Sequence, residues 1–215
     1  MPQTSNPGIV DRAVEVLRDG ELIIIPTDTV YGIAAYACDD DAVRALYAAK
    51  QRDPGVPLQL LFGRDTALLG EYAVLTEPAR RLIETLGPGA WTIVVPARER
   101  WDSPALSGGR TVGIRIVPVD LVLDIVDRLG APLAASSANV SEAPSPTTCA
   151  EAERQVGVFC ALSIDGGPTQ QGLDSTVIDL SGPEPRILRE GAIDRATIAR
   201  ILDLSQIPVL RSVRP

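Results

Sequence analysis

Residues 22–32, with the sequence LIIIPTDTVYG, indicate the fold class. Its four consecutive apolar residues, Leu22 to Ile25, are typical of a strand that is buried on both faces of a sheet. A helical pattern precedes it, opened by Asn6 and Pro7 and closed by Gly20, and another follows from Asp39 to Lys50. A buried strand between helices predicts an α/β protein, whose ligand sites lie in loops at strand ends.

The rest of the chain continues this alternation of strands and helices. Helices are predicted over 76–86 and 121–129, in a short segment with Thr148 and Glu151 as a capping box, and from Asp194 to about Leu202. Strands are predicted over 58–62, 91–95, 112–117, 132–135, 162–164, 176–180 and 186–188. Several neighbouring strands have no helix between them, so we expect one α/β domain with a mixed parallel and antiparallel sheet.

The composition excludes several classes of protein. The chain of 215 residues has no histidine, which removes Ser-His-Asp hydrolysis and HExxH zinc sites. Cys38, Cys149 and Cys160 are far apart, so we expect buried thiols rather than a disulfide framework or a metal site. No apolar run approaches the ~20 residues of a membrane helix, and no signal peptide is visible, so a cytoplasmic protein is expected. The net charge of -8 disfavours non-specific nucleic-acid binding, although a local basic patch is compatible with it.

Six polar segments stand out, four of which follow or flank predicted strands, and some have a structural explanation beside a functional one. Lys50 and Arg52 stand at a helix C-terminus, where the helix dipole favours cations, or they clamp a phosphate. Thr111 and Arg115 face the same side of a strand, as on an exposed face or around an anion. The remaining segments supply hydroxyls, amides and Arg189. Together they predict a site for an anionic ligand, with catalysis by positioning and charge stabilisation.

The order of these segments resembles the YrdC-like family, the threonylcarbamoyl-AMP synthases. The matching motifs are PTDTVYG at 26–32, KQR at 50–52 with PL at 57–58, GPG at 87–89, TVGIR at 111–115, SAN at 137–139 with SPT at 145–147, STV at 175–177 and LREG at 188–191. The resemblance implies a twisted mixed sheet with flanking helices around a concave cavity. It places a catalytic domain over residues 8–203, followed by a short C-terminal tail at 204–215.

The resemblance also implies a reaction and its site. L-threonine, bicarbonate or CO2, and ATP would give threonylcarbamoyl-AMP and pyrophosphate for the modification of tRNA, with Mg²⁺ accompanying the nucleotide and no metal held by the protein alone. Lys50 and Arg52 would be catalytic. The threonine set would be Thr27, Thr29, Arg115 and Ser175. The ATP set would be Lys50, Arg52, Thr111, Ser137, Asn139, Ser145 and Arg189.

Three positions depart from the family pattern: Val56, Glu142 and Asp174. The two acids would weaken nucleotide binding or bind magnesium. The implied partners are the downstream proteins that transfer threonylcarbamoyl to tRNA, with direct tRNA contact left open and no membrane. The alternatives are a non-catalytic RNA- or ribosome-binding module, and a carbamoyl-transfer domain that acts on another acceptor.

Overall fold

Nine strands form one sheet in the structure, a computed structural model that describes residues 7–209. Each predicted strand is present within a few residues of its expected bounds. The strands are β1 Leu22–Ile25, β2 Gly32–Tyr36, β3 Gln59–Phe62, β4 Trp91–Pro96, β5 Thr111–Ile116, β6 Leu133–Ser137, β7 Cys160–Ser163, β8 Thr176–Asp179 and β9 Arg186–Arg189.

Seven α-helices flank the sheet among the described residues: α1 Pro7–Arg18, α2 Asp40–Lys50, α3 Leu69–Tyr72, α4 Glu77–Leu86, α5 Asp120–Leu129, α6 Cys149–Val156 and α7 Arg195–Ile201. Local capping fixes several of their starts. The Asp39 carboxylate accepts the amides of Asp41 and Ala42, and Thr148 and Glu151 form the predicted capping box. The predicted cap Asn6 lies outside the described residues, and the short α3 was not predicted.

The strand order is β7-β1-β2-β6-β3-β5-β4-β8-β9. Three pairs are parallel, namely β1 with β7, β3 with β5, and β4 with β8, and the other five are antiparallel. The expectation of a mixed sheet is therefore confirmed. Sequence reasoning missed β2, which lies between β1 and β6 in the middle of one half of the sheet.

The two faces of the sheet are covered differently. Leu60 and Phe62 pack on one face, in a core shared with α2, α3, α4, α6 and α7. Leu61 packs on the opposite face, where α1 and α5 form a second core. These two helices cover the part of that face built around β1, β2 and β6 and the end of β3 at Leu61. On the rest of the face, Gln59, Thr92, Val94, Gly113 and Val177 face a cavity.

The last described residues pack on the far edge of the sheet. Ile207 is buried, and Val209 bridges to Ile187 of β9. The expected division into a domain ending at residue 203 and a tail stays a prediction. Of the cysteines only Cys149 is buried; Cys38 is exposed and Cys160 is half-buried, so the expectation of three buried thiols was wrong. None of the helices described in residues 7–209 has the length and hydropathy of a membrane-spanning segment.

Candidate functional site

A cavity of about 320 Å³ opens on the uncovered half of the sheet, and we call it the sheet-face cavity. Gln59, Thr92 and Gly113 contribute to its floor from three neighbouring strands. Gly113 adds no side chain to the floor, and a Cβ there would lie only 3.2 Å from the Thr92 side chain. The walls come from the loops that follow β1 and α2, from the end of β6, from the loop before β8 and from the end of β9. This arrangement gives the concave cavity that the fold prediction required.

Arg115 of β5 lies in the wall of the sheet-face cavity and is held by three acceptors. Its Nη2 donates to Asp28 Oδ1 at 2.6 Å and to Thr29 Oγ1 at 3.0 Å, and its Nε donates to Gly89 O at 3.1 Å. Burial lowers the pKa of Arg115 and raises that of Asp28, while the attraction between the two charges opposes both effects. Nη1 makes no bond within residues 7–209, so it is the nitrogen left for a ligand anion.

The loop after β1 orders the hydroxyls beside Arg115. Thr27 Oγ1 lies 3.0 Å from Thr29 Oγ1 and donates to Val30 O at 2.6 Å, so Thr27 shapes the loop and only Thr29 lines the cavity. Tyr31 points away, and its hydroxyl lies 2.6 Å from Gly167 O. Burial raises the pKa of Tyr31 to about 12. The loop therefore offers one of its two threonine hydroxyls to a ligand.

A chain of hydrogen bonds crosses the cavity floor. Thr92 Oγ1 donates to Gln59 Oε1 at 2.7 Å and lies 2.9 Å from Ser175 Oγ. Ser175 in turn accepts Arg189 Nη2 at 3.1 Å, and its carbonyl accepts Arg189 Nε at the same distance. The chain fixes Ser175 between the floor and the rim, where it can bond a polar ligand without reorienting.

The charges that line the sheet-face cavity are three arginines and one carboxylate. Arg52 donates to the carbonyls of Val56 and Pro57, at 3.1 and 2.9 Å, and burial lowers its pKa. Asp174 lies 3.7 Å from Arg189 and accepts the Ser145 hydroxyl at 3.3 Å. The cavity lining thus has net positive charge, which suits an anion, and its single acid lies beside Arg189 and Ser145.

Lys50 lies behind this cavity rather than in its wall, and it is only 1% exposed. Its Nζ donates to Ser137 O, to Asn139 O at 2.6 Å and to Asn139 Oδ1 at 3.1 Å. Desolvation lowers the pKa of Lys50 to about 8, and the neighbouring Arg52 acts in the same direction. The amine therefore ties the end of α2 to the segment 137–139, which presents Ser137 to the cavity.

Six of the predicted site residues line the sheet-face cavity together: Thr29, Arg52, Arg115, Ser137, Ser175 and Arg189. Thr27, Lys50, Asn139 and Ser145 support the walls through the bonds described here. Thr111 lies four residues before Arg115 on β5, about 13 Å along the strand, and does not line the cavity. The individual roles of all of these residues stay predictions.

Sequence reasoning missed Asp28, Gln59 and Thr92 as parts of the site. Asp28 lies within the motif PTDTVYG but received no role of its own, and it is the partner of Arg115. Gln59 and Thr92 carry a usable signal, since each is a polar residue in an apolar strand whose neighbours are buried.

A family model for Sua5, YciO and YrdC, described as "Telomere recombination", matches residues 15–191, most of the chain. The chain belongs to the Sua5/YciO/YrdC family. The resemblance drawn from the ordered motifs is thereby confirmed, and those motifs supply all six of the predicted residues in the cavity wall.

Relatives in the Sua5/YciO/YrdC family match over nearly the whole chain. A Mycobacterium tuberculosis protein is 37% identical over 94% of this chain and 92% of its own length. Threonylcarbamoyl-AMP synthase of Bacillus subtilis is 35% identical over 93% of this chain and 58% of its own length. Pyrococcus abyssi Sua5 complexed with L-threonine has a TM-score of 0.90 at 32% identity, over 95% of this chain and 59% of that chain. The described fold is thus the α/β fold of the family, and it spans about three-fifths of the Pyrococcus chain.

Proposed function

We propose that this protein is an L-threonylcarbamoyladenylate synthase, a nucleotidyltransferase that joins L-threonine, bicarbonate or CO2, and ATP. The observation that carries the proposal is the composition of the sheet-face cavity. Three members of the predicted threonine set and three of the predicted ATP set share its wall. The relatives that bear this activity in their names, and the Sua5 structure with threonine, support it.

The threonine end of the cavity is built around Arg115. Its free Nη1 would bind the α-carboxylate, while Asp28 and Gly89 hold the rest of the guanidinium in place. Thr29 and Ser175 would bond the polar atoms of the amino acid. A site whose polar groups bond the side-chain hydroxyl of threonine discriminates against amino acids that lack this hydroxyl.

The ATP end lies toward Arg52 and Arg189, whose planar guanidinium groups are suited to binding phosphate oxygens. Ser137 lies on the same wall and would bond the nucleotide, with Lys50 and Asn139 holding its segment. We place the catalytic contribution in Arg52, which would stabilise the charge that develops on the departing pyrophosphate, and in Lys50, which would hold the wall beside it.

The reaction would proceed in two steps. The ammonium group of threonine loses one proton to solvent, and the neutral amine attacks the carbon of CO2. The nitrogen then releases a second proton to solvent, which leaves a carbamate anion. A carbamate oxygen then attacks the α-phosphorus of ATP, and the bond from that phosphorus to the bridging oxygen breaks as pyrophosphate leaves. Because the carbamate reverts readily in water, seating both substrates in one cavity favours the second step.

Magnesium bound to ATP would shield the phosphate charges in this reaction. The chain offers little for a resident metal ion: no group of three His, Cys, Asp or Glu side chains within residues 7–209 could hold one. Asp174 is the single carboxylate among the residues that line the cavity. One carboxylate fits an ion that takes its other ligands from phosphates and water.

The product would serve the proteins that transfer threonylcarbamoyl to tRNA, and we place the reaction in the cytoplasm beside them. The test is to incubate the protein with ATP, bicarbonate and L-threonine, and to follow pyrophosphate release and the adenylate by mass spectrometry. Release that depends on both bicarbonate and threonine is expected. Threonine-independent release, or tight RNA binding without turnover, would contradict the proposal.

A matched pair of variants sharpens this assay. Arg115→Gln removes the proposed carboxylate partner, whereas Arg128→Gln removes an exposed arginine that pairs with Asp11 on the surface. We expect only the first to abolish threonine-dependent turnover. Equal activity of the two variants would argue against the assigned threonine site.

A further inference from the structure

A second cavity of about 450 Å³ lies at the carboxyl ends of the parallel strands β3 and β5, and we call it the strand-end cavity. The chain leaves these two ends toward opposite faces of the sheet. After β3 it leads to α3 and α4 on one face, whereas after β5 it leads to α5 on the other. Such a divergence opens a crevice, and ligands of open α/β sheets occupy crevices of this kind.

The lining of the strand-end cavity is mostly apolar. Leu69, Leu75, Ile83, Ile116 and Leu123 come from four different elements and the loop before α4. Its volume lies within the range of small-molecule sites, and an apolar wall with a few polar groups is their usual composition. The cavity therefore suits a small molecule with an apolar body.

Three charged side chains line this cavity: Arg64, Arg80 and Glu84. Arg64 is bonded to Asp120, Asp124 and Asp127 at 2.9, 2.7 and 3.0 Å, so its single positive charge is outnumbered by three carboxylates. Arg80 and Glu84, one turn apart on α4, both line the cavity. Neither side chain has an ion pair or hydrogen bond with another residue in the described part of the chain. They offer one free cation and one free anion at neighbouring positions.

We propose that the strand-end cavity binds a free α-amino acid with an apolar side chain, such as leucine. Arg80 would bind the carboxylate, Glu84 the ammonium group, and the apolar wall the side chain. A simple anion fits less well, because Glu84 and the three aspartates around Arg64 would repel it. An apolar zwitterion matches both the charges and the wall.

This site is separate from the sheet-face cavity. Gly87 and Pro88 line the strand-end cavity, while the carbonyl of the next residue, Gly89, accepts Arg115 Nε on the other side. Among the described residues the two cavities have no lining residue in common, although β3, β5 and the loop before β4 run from one to the other. Binding at the strand-end cavity needs neither ATP nor turnover, so its test stands apart from the proposed reaction.

The test is a titration of ¹⁵N-labelled protein with L-leucine, followed by amide chemical shifts. We expect saturable shifts at Gly63, Gly87 and Ile116 that persist with saturating L-threonine. Arg80→Gln/Glu84→Gln should weaken binding at least about tenfold, a loss of about 1.4 kcal/mol. Both side chains are exposed, so the variant is expected to fold. The matched control Arg12→Gln/Glu15→Gln, on α1, should leave binding unchanged.

Four results would overturn the proposal. They are the absence of saturable shifts, suppression of the shifts by threonine, unchanged binding in the Arg80/Glu84 variant, and equal binding of isovalerate or isoamylamine. Suppression by threonine would place leucine in the sheet-face cavity. Equal binding of a plain acid or amine would remove the role of the opposite charge.

Discussion

Asp28 and Arg115 form an ion pair, with 2.6 Å between Oδ1 and Nη2, in which both side chains are more than nine-tenths buried. The pair joins the loop after β1 to β5, 87 residues away along the chain. The second carboxylate oxygen of Asp28 is buried and has no partner in the described residues. A buried pair of this kind stabilises little in itself, but it leaves a costly charge when one member is removed.

Asp28→Asn should therefore lower the free energy of unfolding by about 3 kcal/mol. It should also raise the half-saturating threonine concentration at least about tenfold, because the guanidinium loses its orientation, while the value for ATP changes little. Urea unfolding and substrate titrations check both effects. Asp11→Asn, which breaks an exposed pair with Arg128, should cost less than about 1 kcal/mol. Equal threonine dependence in the two variants would contradict a positioning role for Asp28.

Arg189→Gln should raise the half-saturating ATP concentration by about tenfold, because a neutral amide replaces the charged guanidinium that would bind phosphate. The threonine value should change less, although Arg189 also bonds Ser175. Initial rates of pyrophosphate release at varied ATP give the answer. A larger effect on threonine than on ATP would move Arg189 to the amino-acid end of the cavity.

Asp174→Asn tests the single carboxylate of the cavity lining. If Asp174 helps to hold the magnesium of MgATP, the variant needs more Mg²⁺, and we expect a shift of about tenfold at fixed ATP. The measurement is turnover against Mg²⁺ concentration. Unchanged Mg²⁺ dependence together with a lower half-saturating ATP concentration would instead identify Asp174 as a competitor of the phosphates for Arg189 and Ser145.

Lys50→Ala should reduce turnover by at least about 100-fold, because the segment that carries Ser137 loses the three bonds from Nζ. Lys50→Arg should not restore activity, since a guanidinium does not fit the space of a buried ammonium. Near-normal turnover of Lys50→Ala would contradict this role and would favour the structural explanation, in which Lys50 is a cation stabilised by the helix dipole.

The pKa of Lys50, lowered to about 8 in the folded protein, predicts a pH dependence of stability. Above pH 8 the folded state releases the proton while the unfolded chain still binds it, so this lysine's contribution to stability rises with pH until about 10.5. Relative to Lys50→Met, the wild type should gain about 2 kcal/mol between pH 7.5 and 9.5 in urea unfolding. A difference that is constant across this range would contradict the lowered pKa.

Much of the fold could be predicted from local patterns, because buried strands and capped helices depend on residues that are close in sequence. β2 was not predicted, because Gly32 is typical of a turn and the buried Ile-Ala-Ala stretch after it shows no alternation. The segments of the site were found, but their geometry was not. Whether Thr27 or Thr29 faces the cavity depends on the conformation of one loop. Whether Thr111 lines the cavity depends on how far the floor extends along β5. Asp28 could not be paired with Arg115 from a single sequence.

Lys50 is the sole lysine of the chain and is almost inaccessible. Amine-reactive reagents consequently have one side-chain target here, which they can reach only when the segment 137–139 moves away. The rate of acylation at this position would report opening of that wall without any engineered label. Ligands that close the wall should slow the acylation, and peptide mass mapping would give the rate directly.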